Sequence, residues 1–221
     1  MTSVAEGHER HAESPLPVTA ARPAPAAGTG WGNAAPLGLA AFAVTTFILS
    51  LVNTGVVSIG IEPVAFGVAF MYGGLVQLIA GVICFRNGNT FNGVLFSTFG
   101  AFWLSLYAIA EYFLKSIPAA DVGHALGIFL FAFAIPTLML LVASFRTNVV
   151  VVTALTALFV TLVVLGAGNY QNHAATPNAL MKIGGWLGLL AAVLAVYLAC
   201  AEVCEFTYGR AVLPLGPLTR K

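Results

Sequence analysis

Charge is what this chain has least of. Nine Lys and Arg and eight Asp and Glu make its 221 residues only 8% charged, against about 25% in an ordinary soluble domain. A net charge of +1 gives no basic face for nucleic acid, which binds through many neutralised phosphates. Cysteine is scarce too. Cys84, Cys200 and Cys204 all lie in or beside apolar segments, so no disulfide framework is implied. Cys200 and Cys204 share a helix face, but two thiols without a nearby histidine make a poor metal site. Catalytic signatures are missing as well. There is no H-E-x-x-H, no G-x-S-x-G and no Gly-rich phosphate loop ending in Lys-Ser or Lys-Thr. His124 and His173 stand far apart in the sequence, and His8 and His11 fall in a polar leader. Hydrolysis, metal chemistry and phosphoryl transfer therefore lack a constellation. No enzyme, resident cofactor or metal is expected.

What fills the space instead is apolar. At 59% hydrophobic residues and a mean hydropathy of +0.94, the chain reads as an all-α integral membrane protein. A spanning helix takes about 20 apolar residues, and six segments have that length: 36–57, 64–85, 92–114, 123–145, 148–168 and 181–204. Residues 1–32 read as a disordered tail, since they are rich in Ala, Pro, Glu and Thr and lack the apolar core of a signal peptide. The six-helix domain is placed at 33–210, with 211–221 as a short C-terminal tail. Gly recurs in the second, fourth and sixth segments, which permits close helix crossings. Pro136 is expected to kink the fourth.

Six crossings put both termini on one side. That side carries Arg10, Arg22, Arg86, Arg146, Arg210, Arg220 and Lys221, and the other only Lys115 and Lys182. By the positive-inside rule the termini are expected in the cytoplasm, with the protein in the cell membrane.

The first segment stands out among the six. Thr45, Thr46, Ser50 and Asn53 lie inside it, and Pro36 suits a first helical turn. Asn33 reads either as a cap or as a group facing a pore mouth. Thr and Ser hide a hydroxyl against a carbonyl one turn back and say little alone. An amide in hydrocarbon wants a partner or water. The plain reading is a capped helix packed on its neighbours; the functional one is a lined path. Glu111 and Glu202, near the ends of the third and sixth segments, are candidates for proton linkage or simply hydrated helix ends.

The residues also resemble a known family. Asn33-Ala34-Ala35-Pro36-Leu37-Gly38-Leu39 is similar to the N-P-A-P-L-G-L signature of the acetate uptake transporters, the succinate–acetate permease group. Tyr72-Gly73-Gly74 with Gln77, Gly88-Asn89-Thr90-Phe91, Phe102-Trp103-Leu104 and Gly184-Gly185-Trp186-Leu187-Gly188 with Glu202 resemble further family motifs, in order, over roughly 33–216. The first proline of the signature is Ala34 here, which removes a fixed φ at the helix entry.

The resemblance implies six helices around a pore within each protomer, assembled as a hexamer. It implies a hydrophobic constriction at Phe42, Phe99 and Leu155, with Thr45 facing the pore beyond Phe42. Relatives can carry tyrosine where Phe99 stands, so no hydroxyl is available at that position here. The implied pathway runs through Asn33, Pro36, Leu37, Gly38, Thr45 and Asn53. The implied activity is passage of acetate and related small carboxylates, succinate among the candidates, by proton symport or as an anion channel. Two other readings stand beside it: a channel for another small solute such as ammonium, and a non-transporting sensor or scaffold.

Overall fold

A computed structural model describes residues 30–171 and 176–218. The polar leader with His8 and His11, and His173, lie outside the described residues. Among the described residues, six helices are long and apolar enough to cross a membrane: α1 (Ala35–Thr54), α2 (Ile59–Arg86), α3 (Thr90–Ser116), α4 (Ala119–Ser144), α5 (Val149–Tyr170) and α6 (Ala179–Tyr208). With no water in hydrocarbon to satisfy backbone groups, helices are the form such segments must take.

Asparagine starts most of them. The side chains of Asn89, Asn148 and Asn178 accept the backbone N–H of Asn92, Val151 and Met181, opening α3, α5 and α6. Asn33 accepts the N–H of Ala35 at the entry to α1. Ala34 keeps the entry intact without proline: it is helical at φ −87° and its carbonyl takes the N–H of Gly38. The sixth helix outruns its sequence-based end by a turn. Glu205 does not stop it; Gly209, in the left-handed region at φ 68°, does. α4 stays helical through Pro136, and the Thr137 hydroxyl donates to the Phe133 carbonyl.

Each helix packs on its sequence neighbours and α6 closes back onto α1, so the six form a ring. The α1–α6 seam is the tightest: a Cβ on Gly185 would lie 2.5 Å from the Thr54 backbone nitrogen, so only glycine lets the backbones approach this closely. The α3–α4 seam is the widest. It is bridged by rings, with Phe102 stacked on Phe129 at 5.2 Å and edge-on to Phe133 at 5.0 Å. Two π-helical stretches, Ala69–Val76 in α2 and Ile109–Phe113 in α3, widen those helices locally.

The end of the chain is docked. Gly216 and Leu215 carbonyls accept the N–H groups of Val149 and Val150, and the Tyr197 hydroxyl donates to the Pro214 carbonyl. The segment expected as a short tail thus covers the first turn of α5 as far as Leu218, whose N–H donates to Thr147.

Candidate functional site

Among the described residues, the ring holds a pair of neighbouring cavities. One, of about 190 Å³, lies toward the α1 C-terminus, and the other, of about 60 Å³, lies toward the end that holds the N- and C-terminal residues of the domain. Three side chains border both: Phe42, Phe99 and Leu158. They stand between the cavities. The Phe42 and Phe99 rings meet edge to face at 5.6 Å, and each is buried. Leu155, one turn before Leu158 on α5, is buried and borders the terminus-side cavity alone. All three residues of the implied trio thus line the terminus-side cavity. Leu158 completes the barrier between the cavities and does not stand out in the sequence, because one leucine in an all-apolar helix looks like the next.

Polar groups flank the barrier. On the larger side Thr46, Ser50 and Asn53 follow Phe42 along one face of α1 and line the wall. Thr46 Oγ1 and Trp103 Nε1 are buried there without a hydrogen-bond partner among the described residues. On the terminus side Gln77, 1% exposed, has both amide atoms unpartnered among the described residues. Buried polar atoms are normally satisfied. Here the residues that carry them line the cavities, while the atoms themselves are covered.

Several expected pathway positions lie elsewhere. Thr45 borders neither cavity: its hydroxyl donates to the Ala41 carbonyl at 2.9 Å, and its side chain fills the space left by Gly73. Its neighbour Thr46 takes the wall position, since adjacent residues point about 100° apart on a helix. Gly38 is pressed against the Phe96 ring. Pro36 and Leu37 face an open groove on the outer side of α1 and α6, which Asn33 and Glu202 also border. Glu111 is exposed in the π-helical stretch of α3 and borders neither cavity. Glu62, in the first turn of α2, is not among the sequence-based candidates, and it lines the larger cavity. A proline following it reads as a helix entry, which hides its position on the wall.

Glu202 does border the terminus-side cavity, half-buried. Asn33 Nδ2 donates to its Oε2 at 2.8 Å. Asn33 is therefore both cap and gatepost: its carbonyl oxygen holds Ala35 N–H while its amide holds Glu202. Cys200 and Cys204 sit one turn apart as free thiols on the outer groove, their sulfurs sharing a hydrogen bond at 3.8 Å. His124 lies 3.8 Å from the Asp121 carboxylate and tilts against the Tyr170 ring. No group of three or more metal-ligating side chains forms among the described residues.

A family model described as the GPR1/FUN34/yaaH family matches residues 18–220. The chain belongs to that family. It is 34% identical over 188 residues to the succinate-acetate/proton symporter SatP of Escherichia coli strain K12, covering 85% of this chain and 97% of that protein. It is 38% identical over 185 residues to the ammonia transport outward protein 2 of Saccharomyces cerevisiae, covering 81% of this chain and 64% of that longer protein. Among solved structures, that of the bacterial acetate channel SatP matches with a TM-score of 0.76 at 33% identity, over 84% of this chain and 99% of that one. The family resemblance drawn from the motifs is thereby borne out, as is the six-helix membrane fold. In this GPR1/FUN34/yaaH family member, the signature Asn33–Leu39 opens α1 and meets α6 through Asn33, while the barrier lies one turn deeper at Phe42.

Proposed function

We propose that this chain passes acetate and related small carboxylates, succinate among them, through the axis of each protomer. The observation that carries the reading is that Phe42, Phe99 and Leu158 border both cavities. A solute crossing the protomer meets donors on one side, an apolar barrier, then donors again. Phe42, Phe99, Leu155 and Leu158 strip water from the solute. Thr46, Asn53 and the Trp103 N–H on one side, and Gln77 on the other, replace part of that hydration. The pathway positions Asn33, Pro36, Leu37 and Gly38 act by building the α1 entry, where Asn33 bonds to one cavity-lining group, Glu202, and Gly38 packs on another, Phe96. A small carboxylate suits this path because its methyl end tolerates the barrier and its head takes two or three hydrogen bonds.

The names of its relatives divide between symporter and channel, and both modes remain within this reading. The bias of arginine toward the terminus side supports both termini in the cytoplasm of a multi-pass protein of the cell membrane. A cysteine placed at Leu218 is expected to react with an impermeant maleimide only after permeabilisation. The exposed apolar groove of α1 and α6, with Leu37, Val44, Val196 and Val203 on it, suits packing against a second protomer, in keeping with a hexamer.

Radiolabelled acetate uptake into proteoliposomes tests the function. Uptake above that of empty vesicles, competed by unlabelled propionate and unaffected by ammonium, is the expected result. Uptake of labelled methylammonium with no acetate uptake would transfer the function to the reading that the yeast relative's name suggests. Silence toward both would leave a sensor or scaffold.

A further inference from the structure

The larger cavity is walled by twenty-two residues, and Glu62 is the one acid or base among them. It sits half-buried in the first turn of α2. The same wall carries hydrogen-bond donors: the Thr46 hydroxyl and the Trp103 N–H, both unpartnered among the described residues, the Asn53 amide, and the Asn169 amide, which already donates to the Leu165 carbonyl. Such donors suit a carboxylate, yet a carboxylate that enters meets one already there. Two carboxylates in a water-poor space do not both stay ionised; they hold one proton between them.

Among the described residues, the other charged groups at this end do not face the cavity. Lys115 and Glu111 of α3 are exposed, Asp121 and His124 of α4 pair with each other, and the Lys182 stem lies against Gly55. None of them lines the wall. Glu202, the acid of the opposite cavity, differs because one of its oxygens already takes the Asn33 amide N–H.

We propose that Glu62 is the residue at which the cargo takes up its proton. This rests on the reading that the cargo is a carboxylate. The carboxylate and one proton enter from the aqueous side, and the proton is shared between a Glu62 oxygen and a cargo oxygen. It leaves with the cargo, which meets Phe42, Phe99 and Leu158 as the neutral acid, and Glu62 is left as the carboxylate it was. One proton crosses per carboxylate and no other bond changes. The apolar barrier then needs no counter-charge, since a neutral acid carries little solvation to shed. When Glu62 is ionised and no proton is available, its charge repels the anion, so uptake falls as pH rises.

The test uses the full chain in proteoliposomes, with initial acetate uptake measured across external pH after subtraction of empty vesicles. Wild type, Glu62→Gln, Glu62→Asp and Glu111→Gln are compared, each first shown to be folded by thermal unfolding in detergent. Wild-type uptake at constant acetate-anion concentration is expected to fall about tenfold as external pH rises from roughly 6 to 8, because the shared proton becomes scarcer while the anion does not. Glu62→Gln is expected to flatten the fall to less than about twofold, because a neutral amide neither repels the anion nor titrates. Glu62→Asp is expected to restore the slope, and Glu111→Gln to follow wild type. A Glu62→Gln profile that overlays wild type would overturn the proposal, as would flattening by Glu111→Gln alone. Absence of wild-type acetate uptake at every pH would instead remove the carboxylate reading itself.

Discussion

Asn33 and Glu202, 169 positions apart in sequence, are joined by a 2.8 Å hydrogen bond from the asparagine amide to the glutamate carboxylate. The bond ties the first residue of the family signature to the last turns of α6, at the edge of the terminus-side cavity. It sets where α1 begins relative to α6 and holds the cavity's acid in place, which gives the signature a structural role.

Removing that bond should cost little stability, because Asn33 is exposed. Asn33→Ala is expected to lower the melting temperature by about 2–4 °C, equivalent to about 1 kcal/mol. Asn33→Asp should cost more than alanine, since it sets a second carboxylate against Glu202. Thermal unfolding of the three proteins in one detergent checks the order; an aspartate variant as stable as wild type would contradict it.

Opening the barrier should alter selectivity. Phe42→Ala and Leu158→Ala each remove a side chain common to both cavities, and are expected to raise hexanoate uptake relative to acetate. Both should also destabilise, by about 3–5 kcal/mol for the phenylalanine and about 2–5 kcal/mol for the leucine. The same ratio measured with Thr45→Ala should stay at the wild-type value, since Thr45 faces Gly73 instead of the path.

Gln77 separates stability from transport. Its two unpartnered amide atoms are buried, and each such group costs about 1–3 kcal/mol when nothing satisfies it. Gln77→Leu is therefore expected to hold or raise the melting temperature while acetate uptake falls about tenfold, the equivalent of one lost hydrogen bond of about 1.4 kcal/mol. Loss of both together would make Gln77 a packing residue.

The α1–α6 seam should tolerate no methyl group at Gly185. The added Cβ would press on backbone atoms of Asn53 and Thr54, which cannot move aside as a side chain does. Gly185→Ala is expected to destabilise by about 1–3 kcal/mol. Gly67→Ala, where nothing lies within 4 Å, is expected to be neutral or to stabilise by up to about 1 kcal/mol through helix propensity. Parallel melting curves of the two variants check the contrast.

Much of the fold is legible in the sequence because lipid imposes a blunt rule. A segment must satisfy its backbone internally and be apolar for about 20 residues, so the six spans can be read within a few residues at each end. Their ends are less legible. Glu205 looks like a stop, yet a charged residue near the interface does not break a helix, and the positive φ of Gly209 does. Within the candidate site, Asn53 is singled out by the cost of an amide in hydrocarbon and the Phe42–Phe99 pair by family likeness. Thr45 and Thr46 cannot be ranked from sequence, and Leu158 and Glu62 carry no signal there. A helix that is apolar all round, as these are in lipid, has no amphipathic stripe to show which face turns inward.

The sequence by itself thus determined the medium, the number of crossings and the family, since these depend on composition, run length and short ordered motifs. The tertiary structure alone decided which residues face the axis. Gly185 lets α6 press against α1, Gly73 receives Thr45, and the rings of Phe102, Phe129 and Phe133 hold α3 and α4 apart. Those contacts fix the rotation of each helix. About 100° of rotation separates a residue that lines the path from its neighbour that packs the wall.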